Sequence, residues 1–382
     1  MPLRLTSRER VSRAIARHPL DRVPIDLGMH YSTGISVFAY QRLREALGLS
    51  TDHIELVDQG QLLARVDEDV LDRFHVDTVL LEPPWLQHRV WNPCDDYFFQ
   101  VSDRFTPERM ADGGWRFTDR PNGGVMPAGG FFFDGAVPDG FGLSPKERLA
   151  LYARRAEMLY KETDRFTMQM GFSAYFDGLD FACDMLTDPG DCKALLARRL
   201  TAEIARFDEI NRAYGRWIQS IEVNSDLGTQ NGPMVTPDSY RDICLPPLKR
   251  FCAHVHETSD IKIFLHCCGG IYELIPSIIE AGVDALNPVQ ISARGMDSAR
   301  LKREFGDKIC FWGGGCDTQR VLWSATPEEV RAHVREQMET FKPGGGFVFN
   351  QVHNIMGNVP PENVIAMLDA AYEFGGYGDE EW

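Results

Sequence analysis

The sequence lacks any long uninterrupted hydrophobic run. No part of the 382-residue chain approaches the roughly 18–20 consecutive apolar residues that a membrane-spanning helix needs. The amino-terminal stretch MPLRLTSRERVSRAIARHP also lacks the apolar core of a secretory signal. It is typical of a helix within residues 1–20, with Thr6 as N-cap and Glu9 closing a capping box. We therefore expect a cytoplasmic protein with no membrane contact.

Positive charge and regularly spaced cysteines are also scarce. The chain has 40 Lys and Arg against 56 Asp and Glu, a formal net charge of −16. So acidic a protein repels phosphate backbones, and we expect no nucleic-acid partner. The nine cysteines are odd in number and irregularly spaced, which argues against a disulfide framework. We expect reduced thiols, most of which fill space in the core.

No G-x-G-x-x-G motif follows an early apolar run, which weakens an open dinucleotide-binding sheet as the fold. Short β-type runs instead alternate with helical patterns along the chain. Eight such units at this length predict an α/β protein with a (β/α)8 TIM barrel. The predicted strands are VPIDLG (23–28), VDTVLLE (76–82), FTMQMGF (166–172), SIEVNSD (220–226), KIFLHC (262–267), DALNPVQ (284–290), KICFWGG (308–314) and GFVFNQV (346–352).

Glycine, proline and aromatic residues concentrate between about residues 90 and 145 and interrupt this alternation. Their turn signals predict an insertion of β-hairpin type over one mouth of the barrel. A substrate lid, an oligomer contact and a stabilising flap remain alternative roles for it. We expect one domain over residues 1–382, and a homodimer because that is the commonest soluble assembly.

The segment FLHCCGG (264–270) carries the most specific chemical signal. His266 and Cys268 are two residues apart at the end of a predicted strand, so they point the same way and Cys267 points oppositely. Nitrogen and sulfur ligands on one face suit Zn²⁺. Further ligands are available from Cys316 and His353, at two other predicted strand ends. The alternative is that Cys268 only packs in the core.

Other polar side chains are predicted to lie on the same rim, because functional groups of a βα barrel lie at the carboxyl ends of its strands. His30 and Tyr31 follow the first strand. Glu222, Asn224 and Asp226 end the fourth strand. Asn287 and Gln290 end the sixth strand.

Five blocks of the chain, taken in order, resemble the uroporphyrinogen decarboxylase superfamily, on the side of its zinc-dependent, corrinoid-linked methyltransferases. The resemblance covers nearly the whole chain. The blocks are RERVSRAIARHPLDRVPIDLG, SDLGTQNGPMVTPDSYRDICLPPLKR, FLHCCGGIYELIPSIIEAGVDALNPVQ, CFWGGGCDTQRVL and GGGFVFNQVHNIMGNVPPENVIAMLDA.

The resemblance does not extend to the substrate-binding arginines of the decarboxylase itself. That enzyme grips the carboxylates of its substrate with an arginine-rich early loop. The matching region here, MHYSTGISVFAYQRL, has no arginine before Arg42. Without guanidinium groups a poly-acid substrate would lose its bidentate clamps.

The methyltransferase branch implies a zinc site made from a His-x-Cys pair and a third, late ligand. His266 and Cys268 match the pair. The late position is a cysteine in the coenzyme M methyltransferases and falls here on His353, which we prefer, with Cys316 as an alternative or a fourth ligand. This difference puts coenzyme M itself in doubt as the methyl acceptor.

The same resemblance implies a reaction and a partner. Zinc would activate a thiol that accepts a methyl group, or a methoxylated compound or methylamine that gives one. The corrinoid would be carried by a separate protein, because the chain lacks a D-x-H-x-x-G signature. Asp226 and Glu222 would orient the substrate or pass protons, and His30 and Tyr31 would line its pocket.

Three of the polar side chains predicted on this rim have no role yet in the metal site or the reaction. Asn224, Asn287 and Gln290 are the candidates for binding the cofactor. Two alternative functions stay open: a lyase or decarboxylase acting on a smaller acid, and a non-catalytic zinc-binding homologue.

Overall fold

The computed structural model describes residues 4–94, 96–172, 175–176 and 178–378. In chain order its strands are β1 (Leu56–Asp58), β2 (Leu63–Ala64), β3 (His88–Trp91), β4 (Phe99–Ser102), β5 (Glu108–Arg109), β6 (Trp115–Arg116), β7 (Val125–Met126), β8 (Met168–Phe172), β9 (Ser220–Asn224), β10 (Gly228–Thr229), β11 (Gly232–Pro233), β12 (Lys262–His266), β13 (Ala285–Asn287), β14 (Cys310–Trp312) and β15 (Phe347–Val348).

The α-helices surround these strands, and six of those described begin at a residue whose side chain caps the helix. Thr6, Ser144 and Thr326 each form a capping box with the glutamate three residues later. The helices are α1 (Ser7–Ile15), α2 (Val37–Ala46), α3 (Glu68–Arg73), α4 (Pro145–Glu162), α5 (Gly178–Thr187), α6 (Pro189–Tyr214), α7 (Pro237–Ile243), α8 (Leu245–Thr258), α9 (Ile275–Ala281), α10 (Ser298–Phe305), α11 (Pro327–Phe341) and α12 (Pro361–Phe374).

Within the described ranges, β8, β9, β12, β13, β14 and β15 form one six-stranded sheet in that order, and every pair in it is parallel. Each of these strands lies inside one of the eight apolar runs that the sequence analysis identified. The α/β class is therefore confirmed, and the helices between the strands account for the parallel order.

The first two predicted strands are single bridges rather than regular strands. Ile25 pairs in parallel with Phe349, and Thr78 pairs in parallel with Phe166. The Asp77 amide donates to the Ile25 carbonyl at 2.8 Å, which joins the two segments. Hydrogen bonds thus link both edges of the sheet, and eight extended segments follow one another in the order of a (β/α)8 barrel.

Helix α1 packs beneath this ring of strands. Its residues Val11, Ala14 and Ile15 share one buried cluster with Phe264 and Trp312 of the strands. The predicted amino-terminal helix is thus present, although it spans Ser7–Ile15 rather than all of residues 1–20. Large side chains such as Phe166, Phe264 and Trp312 fill the interior between the strands.

Antiparallel strands occupy the predicted insertion. Strand β3 pairs with β4, and β5, β6 and β7 form a three-stranded sheet. Residues 137–141, near the end of the insertion, line the cavity described below. The extent of the domain, and any homodimer, stay predictions. Among the described helices, none is both long and apolar enough to cross a bilayer.

Candidate metal centre and adjoining cavity

The carboxyl ends of the parallel strands bring polar residues from distant parts of the chain to one rim. His266 lies level with Asn224 on β9 and with Asn287 on β13. Beyond β14 and β15, Cys316 bridges Gln351 in parallel. Strand register therefore places these side chains side by side, as the sequence analysis expected.

His266, Cys268 and His353 form a compact group on this rim. The ligand atoms that they offer all lie within 4.8 Å of one another. The backbone of His353 has a φ of +62°, in the left-handed region that a residue with a Cβ rarely adopts. Strain of this kind costs about 1–3 kcal/mol and is concentrated at functional sites. The backbone at His353 thus adopts a strained conformation where its imidazole joins the other two ligands.

Asn287 determines which nitrogen of His266 is available. The Asn287 Nδ2 donates to the backbone carbonyl of Trp312 at 3.0 Å, and a carbonyl can only accept. Its Oδ1 therefore faces His266 Nδ1 at 2.7 Å, so that Nδ1 carries the proton. The lone pair of His266 lies on Nε2, which is 3.3 Å from the Cys268 Sγ. Metal-binding histidines are held in this way by a partner on the second nitrogen.

Burial keeps the three groups neutral in the protein. Burial and the neighbouring His30 lower the pKa of His266. Burial, with His266 close by, lowers the pKa of His353 to about 4. Burial and the charge of Asp226 raise the pKa of the Cys268 thiol. Neutral imidazoles are the form that binds a metal, and a bound divalent cation would deprotonate the thiol. Two imidazoles and a thiol fit Zn²⁺ and leave one of its four positions open.

Asp226 and Gln290 hold the loop that carries Cys268. The Cys268 amide donates to Asp226 Oδ1 at 2.9 Å, and the Gly269 amide donates to Gln290 Oε1 at 2.9 Å. The side chain of Asp226 is 53% exposed, and its Oδ1 lies 3.5 Å from His266 Nε2. Asp226 thus places a carboxylate beside the ligand group, whereas Gln290 binds only the backbone amide of Gly269.

His30 connects the metal ligands to Glu222. Its ring centroid lies 5.6 Å from that of His266. The Ser32 hydroxyl bridges the two sides, 2.7 Å from His30 Nδ1 and 2.7 Å from Asn287 Oδ1. The Ser32 amide donates to His30 Nδ1 at 3.0 Å, so the neutral ring carries its proton on Nε2. That nitrogen lies 3.5 Å from Glu222 Oε1.

Glu222 is a buried carboxylate with two partners. Burial alone would raise its pKa, but the His30 ring and the Gly171 amide, which donates at 2.6 Å, lower it below the usual value. Glu222 is therefore ionised at neutral pH and faces the His30 Nε2–H.

A cavity of about 680 Å³ adjoins this pair. His30 and Glu222 lie in its wall, together with Tyr31 and Asn224. The rest of the wall comes from α4, β8 and α6, from residues 137–141 of the insertion, and from residues 57–59, Gln61, Glu82 and Trp85. This volume is within the range of about 300–1,000 Å³ typical of small-molecule sites.

Two of the cysteines lie apart from the ligand group. Cys316 and Cys267 are both buried in the hydrophobic core. Burial raises the pKa of each thiol. Among the described residues, the group whose ligand atoms lie together contains His353 and not Cys316.

Several polar residues of the site were not recognised from the sequence. Glu82 is the last residue of the predicted strand VDTVLLE, so the rule that functional groups lie at the carboxyl ends of strands would have identified it. Ser32 and Tyr152 have no such signal, because they lie in a loop and in helix α4 and approach the site only through tertiary packing.

Comparison with known proteins identifies the wider relationship. Residues 177–374 match the family model described as Uroporphyrinogen decarboxylase (URO-D), which is more than half of the chain. The uroporphyrinogen decarboxylase of Thioalkalivibrio sulfidiphilus is 30% identical over 151 residues, which are 38% of this chain and 40% of that protein. The chain thus aligns with less than half the length of this relative. The enzyme of Alkalilimnicola ehrlichii is 23% identical over 96% of this chain and 93% of its own length.

A solved structure extends the likeness to the whole fold. A methyltransferase from Methanosarcina mazei matches 97% of this chain and 99% of its own, with a TM-score of 0.59 and 15% identity. At this identity the likeness shows the fold alone. Together these findings confirm the resemblance to the superfamily that the sequence blocks indicated.

Proposed function

Because the chain belongs to the uroporphyrinogen decarboxylase (URO-D) family, we propose that it is a zinc-dependent methyltransferase of that superfamily. It would move a methyl group between a small molecule and a corrinoid carried by a separate protein. The observation that carries the proposal is the grouping of His266, Cys268 and His353. The His30 ring, 5.6 Å from that of His266, links this group to the cavity of about 680 Å³ whose wall it lines. The likeness to a methyltransferase in overall fold supports the same function.

His266 Nε2, the Cys268 sulfur and the His353 imidazole would hold the zinc. When bound, zinc supplies a Lewis acid that activates a thiol, oxygen or nitrogen of the substrate. Asn287 keeps the lone pair of His266 directed to this centre through its bond to Nδ1. Asp226 holds the Cys268 amide and so keeps the sulfur in place.

The His30–Glu222 pair would move protons at the substrate. The Glu222 carboxylate accepts from the Gly171 amide and faces the protonated nitrogen of His30. Both side chains line the cavity beside the ligand group. A substrate heteroatom at this end of the cavity meets a general acid or base in a buried, water-poor setting.

The arginines of the cavity argue against a poly-acid substrate. Arg148 is paired with Asp139 at 2.6 Å, and Arg206 donates to the Gly171 carbonyl. Arg42 donates to the backbone carbonyls of Gly357 and Val359 rather than to the cavity. A porphyrinogen with several carboxylates would find no free guanidinium clamp among the described lining residues.

Metal analysis of the purified protein tests the ligand set. We expect about one zinc per chain in the wild type and its loss in Cys268→Ala, because a site left with two protein ligands binds zinc weakly. Cys316→Ala is the matched control and should retain zinc, since Cys316 lies in the core. Absence of stoichiometric zinc from the wild type would overturn the proposal, as would loss of zinc only from the Cys316 variant.

Methyl transfer tests the reaction directly. In separate trials the protein is mixed with cob(I)alamin and a methoxylated aromatic compound or a methylamine as methyl donor, or with methylcobalamin and a thiol as methyl acceptor, and the visible spectrum of the corrinoid is followed. A spectral change with one of them supports the proposal. No change with any of them contradicts it, and decarboxylation of a small acid without corrinoid would favour the lyase alternative.

A further inference from the structure

The cavity wall contains a second polar group besides His30 and Glu222. We call Gln59, Glu82 and Tyr152 the acceptor cluster. All three line the cavity, and their exposed fractions are 5%, 8% and 7%. Their chemistry indicates what the cavity binds.

Gln59 offers a buried acceptor that the protein itself does not use. Its Nε2 donates to the Pro138 carbonyl at 3.3 Å, and this fixes the amide, because a carbonyl cannot donate in return. Within the described residues, Gln59 Oε1 has no hydrogen-bond partner. A buried acceptor without a partner is unfavourable and is rare in native proteins. A ligand that donates a hydrogen bond at this point would remove that cost.

Glu82 offers a second acceptor of the same kind. The Tyr152 hydroxyl donates to one carboxylate oxygen of Glu82. In the part of the chain that the structure describes, no cationic side chain hydrogen-bonds this carboxylate; Arg65 reaches only the backbone carbonyl of Glu82. Burial raises the pKa of Glu82. The second carboxylate oxygen can accept from a ligand hydroxyl, whereas an ionised carboxylate on the ligand has no hydrogen to donate to it.

Aromatic faces complete the wall. The Trp85 indole nitrogen donates to the Leu56 carbonyl at 2.6 Å, and its ring lies 4.8 Å from that of Phe141. Both rings line the cavity with Tyr31 and Tyr214. These faces suit a planar ring, because aromatic pairs gain stability beyond the area that they bury.

From these contacts we infer that the cavity binds a neutral aromatic compound whose hydroxyl group donates to Gln59 Oε1 or to Glu82. That this ring also bears the transferred methyl group rests on the proposed function. The hydroxyl preference itself rests on the cavity alone. Arg148 and Arg206 are already engaged with protein groups, so a carboxylate in place of the hydroxyl would be disfavoured.

Calorimetric titration of the full chain with matched probes tests this inference. The probes are guaiacol, anisole, which lacks the hydroxyl, and 2-methoxybenzoate, which has a carboxylate instead. We expect guaiacol to bind about 10- to 100-fold more tightly than anisole, as one or two buried hydrogen bonds would give. Equal affinities for guaiacol and anisole, tightest binding of 2-methoxybenzoate, or no binding of any probe would overturn the inference.

Variants separate the acceptor cluster from a general effect on folding. At least one of Gln59→Leu and Glu82→Gln should reduce the preference for guaiacol to less than about threefold and leave the affinity for anisole unchanged. Glu209→Gln is the matched control, because Glu209 lines the same cavity but is exposed. A preference that survives in both cluster variants would contradict the assigned contacts. Binding needs no corrinoid, so guaiacol selectivity without methyl transfer would count against the proposed function only.

Discussion

Replacing Asn287 by leucine should weaken zinc binding about 10- to 100-fold, which corresponds to about 1.4–2.7 kcal/mol. The leucine side chain is similar in size but removes three buried hydrogen bonds. These bonds join Asn287 to His266 Nδ1 at 2.7 Å, to the Ser32 hydroxyl at 2.7 Å and to the Trp312 carbonyl at 3.0 Å. Without the first bond, the proton of His266 is free to move to Nε2 and occupy the lone pair that the metal needs.

Two further variants isolate this effect from folding. Asn287→Asp keeps the acceptor for His266 and loses the donor to Trp312, so it should keep zinc affinity within about threefold while it lowers stability. Asn363→Leu is the matched control. Asn363 is equally buried and donates to the carbonyls of Leu322 and Ala325, away from the ligand group.

Competition with a chromophoric chelator measures the zinc affinity, and urea unfolding of the metal-free proteins measures their stability. We expect both leucine variants to lose stability, by about 1–3 kcal/mol for each buried polar group left without a partner. Only Asn287→Leu should lose zinc affinity. Wild-type affinity in Asn287→Leu, or an equal loss in Asn363→Leu, would refute the assigned tautomer.

Three further changes have expected outcomes. Glu222→Gln should slow methyl transfer about 100-fold, because the ionised partner of His30 is lost, with zinc content unchanged; an unaltered rate would count against the pair. Arg10→Met should lower the free energy of urea unfolding by about 3 kcal/mol, because fully buried Asp77 loses a partner at 2.6 Å; a variant as stable as wild type would contradict this. Burial lowers the pKa of Lys302 to about 8 from 10.5, so Lys302→Met should raise stability at pH 7 by about 1–3 kcal/mol. Between about pH 8 and pH 10.5 the Lys302 amine is neutral in the folded wild type but still charged in the unfolded chain. The free energy of unfolding of the wild type therefore rises over this range, and the stability advantage of Lys302→Met should shrink, which pH-dependent unfolding would detect.

The order of secondary structure was accessible from local patterns. Six of the eight predicted runs contain the parallel strands, because alternating strands and helices at this spacing leave few other arrangements. The runs at 23–28 and 76–82 were less well predicted, since each makes only a single bridge. The hydrophobic pattern of the sequence shows that these segments are buried. It does not show how many of their residues form regular hydrogen bonds with a neighbouring strand.

The pair His266 and Cys268 was also accessible, because the two-residue period of a strand places both on one face. The choice between His353 and Cys316 was not. Both follow strands that end on the same rim, and only the left-handed backbone at His353 and the packing of Cys316 in the core distinguish them.

The sequence by itself determined the α/β order, the resemblance to the family and the common face of His266 and Cys268, because these depend on local spacing and on motifs. Tertiary structure alone brought His353 to this pair and decided the tautomer of His266 and the acceptors of the cavity. Those features depend on contacts between residues far apart in the chain, such as Ser32 with Asn287 and Tyr152 with Glu82. The spacing of residues along the chain cannot predict such contacts, because they form only when loops and helices pack against the strands.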